Sequence, residues 1–135
     1  MDRYKLKGLI RRSPIGPGIY IFNSKKEKLY IGKASNIKAR LLSYLGTSDQ
    51  RIKKMLSGAI NIKTVTTGSD IEALILESQY IKKHRPMFNV VMRDDKQYFY
   101  VGFTKERLLR IFLTPQPQAT SYKLPADFVG PFTDG

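Results

Sequence analysis

Few side chains in this sequence are able to do chemistry, and most of them are clustered. Tyr20 and Tyr30 each stand beside a glycine in a short apolar run, "GIYIF" at 18–22 and "LYIGKA" at 29–34; Lys33, Arg40 and Tyr44 follow closely, and Glu77 lies well downstream. Phenols, cations and one carboxylate suit hydrolysis of a phosphodiester. That reaction needs a group that takes a proton from water, cations that neutralise charge growing on the phosphate, and a metal that stabilises the leaving oxygen. Tyrosine is an unusual base because its unperturbed pKa is about 10. Crowded cations such as Lys33 and Arg40, with a metal, are expected to lower that value, and a neighbouring phenol can donate a hydrogen bond to the phenolate. Each residue also has a plainer use: strand tyrosines pack, Lys33 and Arg40 serve as solvated charge, and Glu77 pairs with Arg40 or binds a cation.

The whole chain supports an anionic partner. Its 135 residues are enough for one domain with a core of its own. They carry 24 Lys and Arg against 11 Asp and Glu, a formal charge of +13, and self-repulsion of that size points to a polyanion, nucleic acid first. An anionic membrane also fits the charge, but there is no long apolar run and the basic residues are spread over every segment. With no cysteine and a single histidine, His84, disulfides, thiolate catalysis, cysteine zinc sites and a Ser/His/Asp triad lose their support. "MDRYKLKGLIRRS" is basic without an apolar signal core, so a cytoplasmic chain is expected.

These residues need elements to position them. "GIYIF" and "KLYIGK" predict an antiparallel hairpin across "NSKKEK". With Phe22 opposite Lys28, Tyr20 faces Tyr30, and Tyr20, Phe22, Tyr30 and Gly32 share one face, left free for a ligand, while Ile19, Ile21, Leu29 and Ile31 pack on helices. A helix is expected over 35–45 with Ser35 as N-cap, placing Arg40 and Tyr44 on one flank. A second helix is expected in "SDQRIKKMLSG", and "AINIKTVTT" predicts a third strand closed by Gly68. Residues 69–86 form the best-marked helix, with Ser69 and Glu72 as a capping box and Pro86 as its stop. Glu77 falls inside its apolar arc, where a carboxylate is costly unless paired, hydrogen-bonded or bound to a cation. "FNVVM", "YFYVGF" and "LLRIFLT" predict extended segments, "RDDK" with Asp94 and Asp95 a turn, and His84 a helix-end residue complementing the helix dipole. Pro115 onward predicts an extended tail. The expected fold is α+β, a small, mostly antiparallel sheet flanked by helices. Composition and periodicity by themselves reach a basic domain for nucleic acid with one misplaced carboxylate.

A resemblance adds to this. Gly18-Ile19-Tyr20 and Tyr30-Ile31-Gly32, followed in order by Lys33, Arg40, Tyr44, Glu77 and Asn89, resemble the GIY-YIG nuclease family over residues 14 to 104. Longer stretches, "LYIGKASNIKARLLSYL", "EALILESQYIKKHRPMFNVVMRDDKQYFY" and "FVGPF", are most similar to its UvrC-type N-terminal endonuclease domain, which makes the 3′ incision beside a lesion in bacterial nucleotide excision repair. The resemblance implies that Glu77 holds one divalent ion, Mg²⁺ or Mn²⁺. Arg40 would hold the scissile phosphate, Tyr44 would hydrogen-bond to it, Tyr20 would be the preferred base with Tyr30 and Lys33 lowering its pKa, and Asn89 and Gly32 would support the site. Lys33, Lys38, Arg40, Lys53 and Lys54 are the expected DNA contacts. Damaged duplex DNA and UvrB are the implied partners of a monomer, and binding that reads the backbone alone should weaken steeply with salt. The expected organisation is a nuclease domain at 1–104 and a C-terminal strand and tail at 105–135 leading into a longer protein. A noncatalytic binding module that kept the fold, and a stand-alone or mobile-element nuclease, remain open.

Overall fold

The computed structural model describes the backbone of residues 1–91, 98–104, 111–114 and 126–133, and the side chains of residues 1–90. Its backbone divides into two units, Met1–Asp94 and Asp95–Gly135.

In the first unit β1 (Gly18–Asn23) is the central strand of an antiparallel sheet, between β2 (Lys28–Ala34) and β3 (Asn61–Thr66). The expected hairpin forms, with a different register. Phe22 lies opposite Tyr30 and Tyr20 opposite Gly32, because a bulge after Phe22 pairs Asn23 with Lys28 and leaves Leu29 as the extra residue. Leu29 therefore joins the aromatic face rather than the isoleucine face.

Both faces are covered. On one, Ile19, Ile21 and Ile31 pack with Leu76, Tyr80 and Ile81 of α4 (Asp70–His84). On the other, Tyr20, Phe22 and Tyr30 are enclosed by side chains of α1 (Arg3–Arg11), α2 (Ile37–Ser43) and α3 (Gln50–Gly58). The tyrosine face is thus core, not open surface: Tyr20 is 1% exposed and Tyr30 3%. Each aliphatic side chain buried here contributes roughly 1.5–3 kcal/mol, and the first three helices supply Leu6, Ile10, Ile37, Leu41 and Met55.

Local chemistry sets the helix limits. Asn36, not Ser35, caps α2, its side-chain oxygen accepting from the Ala39 amide at 3.0 Å, and the chain continues through a 3-10 turn at Tyr44–Gly46. Asp49 caps α3. In α4 the Ser69 hydroxyl accepts from the Glu72 amide as expected, whereas the Glu72 carboxylate accepts from Gly68 N at 2.6 Å. Arg85, at φ 42°, ends α4 in the left-handed conformation. The first residues of "FNVVM" are helical rather than extended: α5 (Met87–Val91) starts directly after Pro86, whose fixed φ suits a helix start.

The second unit is an antiparallel sheet in which β4 (Tyr98–Thr104) lies between β5 (Ile111–Thr114) and β6 (Ala126–Thr133). Among the described residues β4, expected within the nuclease domain at 1–104, pairs with β5 and β6. The tail expected after Pro115 includes a strand, β6, which contains "FVGPF". Asp94 and Asp95 of the expected turn lie outside the described residues. Among the described residues no helix is long and apolar enough to cross a membrane.

Candidate active site

The hydroxyl of Tyr20 is the meeting point. It lies 2.7 Å from the Tyr44 hydroxyl and accepts from Arg40 Nε at 3.3 Å, while the Arg40 guanidinium sits 5.7 Å from the Tyr44 ring centroid. The Tyr30 ring lies 6.2 Å from that of Tyr20, and Phe22 edges both Tyr20 and Tyr44. Arg40 and Tyr44 reach this point because they are four residues apart at the end of α2 and the turn after it.

The glycines of the hairpin have steric reasons. The Tyr20 ring crosses directly over Gly32, where a Cβ would overlap Tyr20 Cζ and Oη. At Gly18 a Cβ would overlap the Val65 carbonyl oxygen and lie 2.8 Å from Ile37 Cδ1. Each tyrosine-bearing strand thus needs a position without a side chain, one for the Tyr20 ring and one for close approach of β3 and α2.

Glu77 comes from the opposite layer. It is 3% exposed, and its Oε2 accepts from the backbone amide of Lys33 at 2.7 Å. Asn89 lies two residues along the same strand edge. Its Oδ1 accepts from Ile31 N at 2.9 Å and its Nδ2 donates to Ile31 O at 2.8 Å. β2 is an edge strand whose outward amides need partners, so α4 and α5 each supply one side chain to that edge. The resemblance implies that Asn89 supports the site. Its side chain clamps β2, far earlier in the chain.

Burial dominates the electrostatics of the three phenols. Burial raises the pKa of Tyr20 above the ordinary phenol value; Arg40 and the Tyr44 hydrogen bond pull the other way and do not prevail. Tyr30 and Tyr44 are pushed up as well, first by burial and then by neighbouring groups, Tyr20 foremost. Arg40 is pushed up chiefly by Tyr20. Protein cations alone therefore do not lower the phenol. Arg40 and Tyr44 hydrogen-bond at the Tyr20 hydroxyl, and the Tyr30 side chain interacts with it as well.

The remaining expected residues are dispersed. Lys38 Nζ donates to the Arg11 carbonyl at 3.1 Å, and Lys53 and Lys54 are exposed on α3. His84 is exposed in the last turn of α4, and its pKa is lowered by desolvation and then by Lys28 and Lys83. Among the described residues no group of three or more His, Cys, Asp or Glu could hold a metal. Glu77 does fit a hard divalent cation, because it offers a carboxylate oxygen held in place by a backbone hydrogen bond, and Mg²⁺ is commonly bound through one or two carboxylates while keeping several waters.

A family model described as the UvrC-like GIY-YIG domain matches residues 16–90. This chain belongs to that family. It is 44% identical over 108 residues to UvrABC system protein C of Desulforudis audaxviator, covering 78% of this chain and 18% of that protein. It is 38% identical over 140 residues to the Prochlorococcus marinus protein of the same name, covering 99% and 21%. The chain thus spans about a fifth of the length of these relatives. Among solved structures, the GIY-YIG N-terminal endonuclease domain of UvrC from Thermotoga maritima, bound to its catalytic divalent cation, magnesium, matches with a TM-score of 0.62 at 37% identity, covering 66% of this chain and 99% of that one. The UvrC GIY-YIG domain is a divalent-cation-dependent endonuclease. The Thermotoga domain has also been solved with single substitutions at three tyrosines and an asparagine. Those positions are spaced ten, fourteen and forty-five residues apart, as are Tyr20, Tyr30, Tyr44 and Asn89 here.

Proposed function

We propose that this chain cuts one DNA phosphodiester as the N-terminal endonuclease domain of a UvrABC-type excision-repair protein, on the 3′ side of a lesion. UvrB is the partner that presents the damaged duplex, and one Mg²⁺ or Mn²⁺ is the cofactor. The observation that carries the reading is the convergence of Arg40 and Tyr44 on the Tyr20 hydroxyl, across β2 from a buried carboxylate pinned to the Lys33 amide.

In this reading the groups divide the reaction among them. Arg40 uses one of its five N–H donors on Tyr20, and the others hold the scissile phosphate and stabilise its developing charge. Tyr20 takes the proton from the attacking water as that water's oxygen bonds to phosphorus and the bond to the leaving oxygen breaks. Hydrogen bonds from Tyr44 and Arg40 both favour the Tyr20 phenolate, which supports Tyr20 over Tyr30 as the base. Glu77 would hold a divalent cation, which when bound would supply charge stabilisation for the leaving oxygen and a positive potential favouring the phenolate. Asn89 and Gly32 act by positioning, one through the β2 edge and the other by leaving room for the Tyr20 ring. Lys33, Lys38, Lys53 and Lys54 contribute to DNA contact.

The test is a duplex with one bulky lesion, preloaded with UvrB in Mg²⁺ or Mn²⁺, cut by the chain or its Glu77→Ala variant and mapped at nucleotide resolution. A single Glu77-dependent nick 3′ of the lesion is the expected result. Salt-sensitive binding with no nick, repeated in a full-length protein carrying this domain, would instead make the domain a binding module.

A further inference from the structure

Helix α1 (Arg3–Arg11) lies outside the residues 16–90 that match the family model, and the reaction above gives it no task. Its inner face is accounted for, since Leu6 and Ile10 are buried in the cluster that contains Ile37, Leu41 and Tyr44. Its outer face is unusual. At 100° per residue Tyr4, Lys7 and Arg11 fall within an arc of about 60°, next to Gly8, which adds no side chain. All three are exposed, Tyr4 by 89%. Lys5 and Arg12 extend the charge around the other flank, and the helix contains no acidic residue. The nearby Asp2 carboxylate is engaged as the N-cap, accepting from the Lys5 amide at 2.8 Å.

The basic face is fastened to the helix that carries Arg40. Lys38 Nζ of α2 donates to the Arg11 carbonyl, and the Lys38 and Ile37 amides donate to the carbonyls of Pro14 and Gly16 at 3.1 and 3.0 Å. Cations beside an exposed aromatic ring suit a nucleic-acid backbone. An anionic bilayer fits less well, because a surface-lying helix inserts its apolar face and here that face is inside the protein.

We infer that α1 is a second contact for the phosphate backbone of the DNA held by Arg40, with Lys7 and Arg11 neutralising two phosphates and Tyr4 lying against the sugar–phosphate chain. This rests on the reading of the substrate as DNA. The test is fluorescence anisotropy of a labelled duplex of about 20 base pairs with the whole chain, without divalent metal, as a function of salt. It compares wild type, Lys7→Ala/Arg11→Ala, Tyr4→Ala, and a control Lys25→Ala/Lys26→Ala in the exposed β1–β2 turn. Removing two phosphate contacts should lower the slope of log affinity against log salt by about 1.8, so the variant loses about tenfold less affinity than wild type between about 50 and 200 mM salt. Tyr4→Ala should weaken binding without changing the slope. Unchanged melting temperatures would show that the variants fold. A slope change no larger than that of the turn control, with wild-type binding intact, would overturn the role of α1 alone. Wild-type protein that ignores the duplex, or prefers phosphatidylserine vesicles, would overturn both this inference and the DNA reading.

Discussion

Replacing Gly32 by alanine places a methyl group inside the Tyr20 ring. Its position overlaps Cζ and Oη and lies 3.0 Å from Cε1, so the ring must move away. That movement is not free, because Tyr20 is 1% exposed and boxed in by Phe22, Tyr30 and Tyr44. Overpacking of this kind costs about 1–3 kcal/mol, which for a domain of this size lowers the melting temperature by about 5–20 °C. The larger effect falls on catalysis. A displacement near 1 Å breaks the 2.7 Å contact with Tyr44 and the 3.3 Å contact with Arg40, and should reduce the nicking rate by about 10²–10⁴, the range of a lost general base. The assay is single-turnover nicking by Gly32→Ala, Tyr20→Phe and the double variant, at a temperature where all three are folded. Both substitutions disable the same hydroxyl, so the double variant should be no slower than Tyr20→Phe alone. Losses that multiply would refute the argument, since Gly32 would then act on something other than Tyr20.

Arg40→Ala should fold nearly as wild type and lose about 10²–10⁴ in rate; a large fall in melting temperature would assign Arg40 a structural role. Glu77→Gln keeps an oxygen for the Lys33 amide, so it should fold yet lose both activity and the stabilisation by added Mg²⁺ expected of wild type in thermal melts. Chelation of divalent metal should abolish wild-type nicking. Asn89→Ala leaves the Ile31 amide and carbonyl without their side-chain partners and should cost about 2–4 kcal/mol in denaturant titrations. The pKa values of Tyr20, Tyr30 and Tyr44 are raised on folding, so the native state holds protons that the unfolded chain releases above pH about 10. Their contribution to stability is complete below that pH and is lost above it. Melting temperature should therefore fall above pH about 10, less steeply in Tyr44→Phe.

Several features were legible from residue types alone. The tyrosine and glycine runs, the polar stretch between them and the Ser69–Glu72 pair each specify local structure through contacts within a few residues, so the hairpin and α4 appear as expected. Glu77 was also legible, because a carboxylate among apolar neighbours on a helix demands an explanation whatever the fold. The short N-terminal helix was not, since nine residues with two buried positions give little periodic signal until α2 and the sheet cover them.

Other features were decided at a distance. The strand register turned on one bulge at Asn23, which moved Tyr20 from Tyr30 to Gly32 and made the glycine necessary. Tyr44 and Arg40 became the partners of Tyr20 only when α2 and the turn after it closed over the sheet, and the same closure removed water and raised the phenol pKa. The sequence by itself determined which groups are present and which must be paired, because those are properties of single residues and short spacings. Only the tertiary structure decided which groups touch and which protonation state burial favours, because both depend on segments far apart in the chain and on the solvent they exclude together.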